Sequence, residues 1–160
     1  MQTNTARFAL TATIAMTLAT SAFATNRHHR QTRSSTHAAG MPSGMKLSAT
    51  LNGSSEIPAG DPDASGSFSA TFNPGHSQLC YELKVAALAT PTAAHIHVGA
   101  AGQNGAPVVM LAPPATGSSK ACLTIAADLA KKLLETPESY YVNVHNAQFP
   151  NGGLRGQLSK

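Results

Sequence analysis

Two stretches decide how this chain is read: Ala94-His95-Ile96-His97-Val98 and, far downstream, Tyr141-Val142-Asn143-Val144-His145-Asn146. Both alternate in the two-residue period of a β-strand, where successive side chains point to opposite faces. Ala94, Ile96 and Val98 share one face of the first, and His95 and His97 share the other. In the second, Val142 and Val144 share a face, and Tyr141, Asn143 and His145 oppose them. The apolar sets are assigned to the core. Three histidines then project from the non-core sides of two strands, and they converge if those strands are neighbours.

Working outward, the same alternation marks further short strands. Met45, Leu47, Ala49 and Leu51 are the apolar positions of a strand ending at Asn52-Gly53. Gly66–Asn73 places Phe68, Ala70 and Phe72 inward. Gln78–Leu88 does the same with Leu79, Tyr81, Leu83 and Val85. Pro107–Leu111 is a short apolar strand, and Lys120–Ala126 turns Ala121, Leu123 and Ile125 inward. The last strands are Tyr140–Asn146 and Leu154–Ser159. Pro and Gly punctuate the loops between them, including Glu56–Pro62 and Gly99–Gly105. One helical pattern occurs, over 127–136, with Leu129 and Leu133 four apart, an Asp128–Lys132 pair, and Pro137 as its stop. No βαβ rhythm is present. The expected fold is all-β, an antiparallel β-sandwich or closed sheet, with one short helix.

Residues 1–24 read as a signal peptide: Arg7, an apolar run from Phe8 to about Leu18, and Ala22-Phe23-Ala24 as a cleavage site. The run is too short to span a bilayer. Residues 25–44 are polar and aperiodic and read as a disordered linker. The folded domain is expected over 45–160, in the periplasm or outside the cell.

Charge follows this division. The chain carries +4 formally, from 11 Lys+Arg and 7 Asp+Glu. Arg7, Arg27, Arg30 and Arg33 all precede Met45 and no acidic residue does, so the domain is neutral. A neutral domain without a basic stripe argues against nucleic acid as a partner.

Cys80 and Cys122 both fall on the outward parity of their strands. In an exported protein they are expected to pair as a disulfide. It would close a loop of about 42 residues, worth about 4 kcal/mol in the chain-entropy model.

His95, His97 and His145 are the candidate metal ligands. Neutral imidazoles two residues apart on a strand face, with a third from a neighbouring strand, make an open three-nitrogen site suited to copper, with zinc as the alternative. Asn143 and Arg155 are candidates for the surrounding shell. Arg155 also stands where it could pair with Glu56. The competing reading of the same histidines is structural: their ring N–H groups donate to loop carbonyls and pin Gly99–Gly105. Nucleophile elbows, phosphate-binding glycine loops and carboxylate pairs are absent.

Several marks in order carry a resemblance: Leu51-Asn52-Gly53 with Glu56-Ile57-Pro58, then Ala94-His95-Ile96-His97, Gly102-x-x-Gly105 with Val108-Val109, Tyr141-Val142-Asn143-Val144-His145, and Pro150-Asn151-Gly152 leading to Leu154-Arg155-Gly156-Gln157-Leu158. From about Lys46 to Leu158 the chain resembles the CHRD domain, found in chordin and in many bacterial secreted proteins. The resemblance implies an immunoglobulin-like Greek-key sandwich and no established activity for bacterial members. The family's usual glutamate two positions before the arginine is here Gly153. More loosely, His95, His97 and His145 are similar to part of the copper site of copper/zinc superoxide dismutases. The bridging histidine, the zinc ligands and the charged loop of those enzymes have no counterpart here.

Three readings follow, in order. The first is an exported protein holding one copper ion for storage, delivery or resistance, with the metal and another exported protein as the partners to be expected. The second is a non-catalytic secreted binding module with structural histidines. The third is a copper redox enzyme.

Overall fold

The computed structural model describes residues 44–160. The expected signal peptide and the linker up to residue 43 lie outside the described residues. Eight strands form one antiparallel sheet, in two halves. In the first half, β1 (Met45–Asn52) pairs with β2 (Ser65–Asn73), β2 with β3 (Gln78–Ala86), and β3 with β6 (Ser118–Thr124). In the second, β5 (Pro107–Leu111) pairs with β4 (Pro91–Val98), β4 with β7 (Tyr140–Asn146), and β7 with β8 (Leu154–Gln157). A narrow seam joins the halves, where Asn52 pairs with Arg155 and Ser48 with Ser159.

The chain crosses between halves after β3, after β5 and after β6, in Greek-key fashion. Leu47, Leu51, Phe68, Leu79 and Leu83 from one half pack in a single cluster with Ala94, Ile96, Val142, Val144 and Leu154 from the other. These are apolar parities of the sequence, so alternation locates the apolar core. Tyr81 adds a polar tie across the core, its hydroxyl accepting from the Ala112 N–H at 2.7 Å. Phe68 stacks on the same ring.

The helix α1 (Ala127–Glu135) carries the chain from β6 to β7 and buries Ala130, Leu133 and Leu134 over the open end of the core. Its ion pair is Lys131–Glu135 rather than the expected Asp128–Lys132. Several ends differ from expectation: β6 ends at Thr124 and β8 at Gln157, and Val98, assigned to the core with Ala94 and Ile96, is 40% exposed at the last position of β4. Met45 is 42% exposed, because it sits at the rim beside Phe72 rather than under the opposite half. β3 stops at Ala86, since Ala87 takes a left-handed φ of 57°. β6 starts at Ser118, two residues early, because it pairs through to Lys84.

Cys80 and Cys122 are directly opposed on β3 and β6 and are disulfide-bonded. Among the described residues no helix is long and apolar enough to cross a membrane.

Candidate metal centre

The register of the second half lines up the non-core side chains in rows. Met110, His95, Asn143, Arg155 and Asn52 lie in one row across β5, β4, β7, β8 and β1. His97, Tyr141 and Gln157 form the next row. His145 stands opposite Ala93, on the other side of the first row. The three histidines of the sequence therefore share one patch.

That patch is not open to water as strand parity suggests. The loops 53–62, 99–105 and 147–153 fold over it and make a second, polar core. Tyr141, Asn143 and Arg155 are 3%, 2% and 2% exposed, and Glu56, brought in by the first loop, is 5% exposed. Every buried polar group then needs a partner. Glu56 Oε1 accepts from Asn143 Nδ2 at 2.6 Å. The Arg155 guanidinium donates to Asn104 Oδ1 and to the carbonyls of Ala100 and Gln103, and lies 3.4 Å above the Tyr141 ring centroid. Gln157 donates to the carbonyls of Gly99 and Glu138. Arg155 thus braces the 99–105 loop. The ion pair with Glu56 that the sequence offered is not formed: the described salt bridges are all at Glu82 and Glu135.

Chemistry fixes the tautomers of two histidines. His97 Nδ1 lies 2.9 Å from the Gly105 carbonyl, and His145 Nδ1 lies 3.0 Å from that of Pro150. A carbonyl only accepts, so both Nδ1 atoms carry the proton and both Nε2 atoms carry a lone pair in the neutral ring. His97 Nε2 is buried and has no hydrogen-bond partner. His145 Nε2 lies 3.1 Å from His95 Nδ1, which consequently donates to it. Tyr141 stacks on His97, ring centroids 4.9 Å apart, and holds its plane.

One ligand atom from each histidine lies within 4.8 Å of the others. Metal–imidazole bonds of about 2.0–2.1 Å separate ligand nitrogens by about 3.3–3.6 Å. The three rings are therefore close enough to hold one ion. Burial lowers the pKa of all three below the usual histidine value. For His95 the neighbouring histidines add to the effect; for His97 and His145 the carbonyl bonds partly oppose it. They stand as neutral imidazoles at neutral pH. Glu56 moves the other way: burial raises its pKa, against the Asn143 hydrogen bond, the Arg155 charge and the Ile57 N–H.

The sequence offered Glu56 as a partner for Arg155 and, in its structural reading, ring N–H bonds to carbonyls of the 99–105 loop, one of which His97 makes to Gly105; it gave no site role to Tyr141, Gln157 or the Pro150 carbonyl. Glu56 carries a signal: it is the first acidic residue of the chain, at the start of a Pro/Gly loop. The Pro150 carbonyl carries none, because any residue supplies one.

The family model of the CHRD domain matches residues 47–158. No curated protein matches the chain.

Proposed function

The chain belongs to the CHRD domain family, and from that premise we propose that it is an exported metal-binding protein whose His95, His97 and His145 hold one copper ion. The observation that carries this reading is the buried, unpartnered Nε2 of His97 beside two further imidazole nitrogens. An unsatisfied buried acceptor costs about 1–3 kcal/mol, and a metal ion would remove that cost. Carbonyl bonds on the far nitrogens of His97 and His145 orient the lone pairs, as is usual for metal-ligating histidines. Divalent affinity for nitrogen sites peaks at copper, which favours copper over zinc. Asn143 and Arg155 support the site from the next shell, through Glu56 and the 99–105 loop. Storage, delivery or resistance are the roles such a site serves, with another exported protein as a possible exchange partner. The disulfide fits an oxidising compartment, the periplasm or beyond it.

The test is elemental analysis of the purified chain before and after copper loading. One tightly held copper per chain, lost in the His95→Ala, His97→Ala, His145→Ala variant while its fold is retained, supports the reading. A folded, disulfide-bonded chain that retains no metal overturns it. A second reading, a binding module with structural histidines, is favoured by the His95–His145 contact and the two carbonyl bonds. It expects no stoichiometric metal and a stability loss at each single histidine substitution.

A further inference from the structure

Met110 is an anomaly of the β5 edge. It is 65% exposed, the most exposed large apolar side chain of the described residues. Its neighbours Val109 and Leu111 are core, so Met110 takes the opposite parity and faces the histidine side. It is the direct cross-strand partner of His95. Directly opposed residues on an antiparallel pair have Cβ atoms about 4.5–5.5 Å apart. A methionine side chain has three rotatable bonds with which to cover further distance. Being exposed, it loses no packing when it moves.

We propose that Met110 supplies a soft thioether ligand to the histidine site, making it a site for copper(I). This rests on the metal-binding reading above and goes beyond it to the oxidation state and the selectivity. Three imidazoles accept both copper(II) and zinc, copper(II) the more tightly, whereas a thioether is a soft ligand that suits copper(I) and is a poor one for zinc. No cysteine is available for the same purpose, since Cys80 and Cys122 are bridged on the other half of the sheet. The exposed position places the soft ligand at the mouth of the site, beside His95, where an incoming ion arrives first. His97, with its ring nitrogen buried, stands further in.

The experiment compares the unaltered chain with Met110→Leu, which keeps the size and apolar character of an exposed edge residue, and with Met45→Leu as a thioether control on β1. Copper(I) affinity is read by competition with a colorimetric copper(I) chelator, zinc affinity by a zinc chromophore, and the copper(I)-loaded chain by X-ray absorption at the copper edge. The expected result is a sulfur neighbour of copper lost in Met110→Leu, copper(I) affinity weakened by roughly tenfold or more, and zinc affinity unchanged. Met45→Leu should match the unaltered chain. Copper(I) bound by nitrogen alone, at equal affinity in both variants, overturns the role of Met110 and leaves the three-histidine site standing. Failure of the unaltered chain to bind copper in either state overturns both.

Discussion

At the scale of single residues, Arg155 is the least replaceable side chain outside the histidines. It is almost fully buried, and its charge is satisfied by oxygens of one loop rather than by a carboxylate. Hydrogen bonds to charged groups are worth about 1.5–3 kcal/mol each, and removing the donor leaves several loop oxygens without a partner. Arg155→Ala should therefore lower unfolding stability by about 3 kcal/mol or more, read from urea titrations. Arg155→Lys should recover only part, because an ammonium cannot reproduce the planar fork or the stacking on Tyr141. A lysine variant as stable as the parent would show that charge alone suffices. The histidines give a pH prediction. Their folded pKa values lie below the unfolded value of about 6.5. The unfolded chain then binds more protons, so metal-free stability is complete above about pH 6.5 and falls as pH drops through that value toward the folded ones. Glu56, raised in the fold, contributes the opposite slope, its stabilisation being lost as pH rises through its folded pKa. Thermal unfolding of the metal-free chain and of the triple histidine-to-alanine variant from pH 7.5 to 5 separates the two. The parent should lose more stability on acidification than the variant, and equal slopes would show that the rings are not held neutral by burial.

At the scale of elements, the three loops over β4, β7 and β8 convert an outward strand face into a covered polar patch. Gly152 shows how tightly they close. Its φ is +140°, and a Cβ there would run into the Glu56 carboxyl and the Asn143 amide. Gly152→Ala should cost about 2 kcal/mol or more, from the strained backbone and the displaced buried pair together. Gly102 is the control: its φ is +80° with nothing within 4 Å of the added carbon. Gly102→Ala should cost only the left-handed backbone term, about 1–2 kcal/mol. Chemical denaturation of both variants is the check, and equal losses would place the whole cost in the backbone. The strands themselves were legible. All eight were read from the sequence, most by alternation and β5 by its short apolar run, and the parity of Ala94, Ile96, Val142 and Val144 puts the three histidines on one side. What alternation does not carry is the covering of that side. Parity distinguishes two faces of a strand, but a loop arriving from 40 residues or more away, as Glu56 does to Asn143 across 87, leaves no periodic trace. For the same reason Arg155 reads as an outward charge in search of an acid, when it is a buried brace for backbone carbonyls.

At the scale of the whole molecule, the disulfide and the candidate metal centre occupy different halves of the sheet: Cys80–Cys122 ties β3 to β6, and the histidines stand on β4 and β7. The halves share one apolar core but meet edge to edge only at the β1–β8 seam. The disulfide is then expected to act on stability through the shared core and not on the geometry of the histidine patch. A loop separation of 42 residues corresponds to a stabilisation of about 4 kcal/mol in the chain-entropy model, with about 2–4 kcal/mol typical. The Cys80→Ala, Cys122→Ala variant should lose about that much against urea, yet bind the same number of metal ions per folded chain. Metal binding to the folded state alone adds RT ln(1 + [L]/Kd), about 2.7 kcal/mol at a hundredfold excess over Kd. Copper loading should therefore restore most of the stability that the missing bridge removes, and should add a similar amount to the parent. The measurement is a set of four urea curves, with and without the disulfide and with and without copper. Near-additive free energies are expected for features this far apart in the sheet. A bridge-less variant that folds but no longer binds metal would show instead that β3 and β6 set the positions of β4 and β7 through the core.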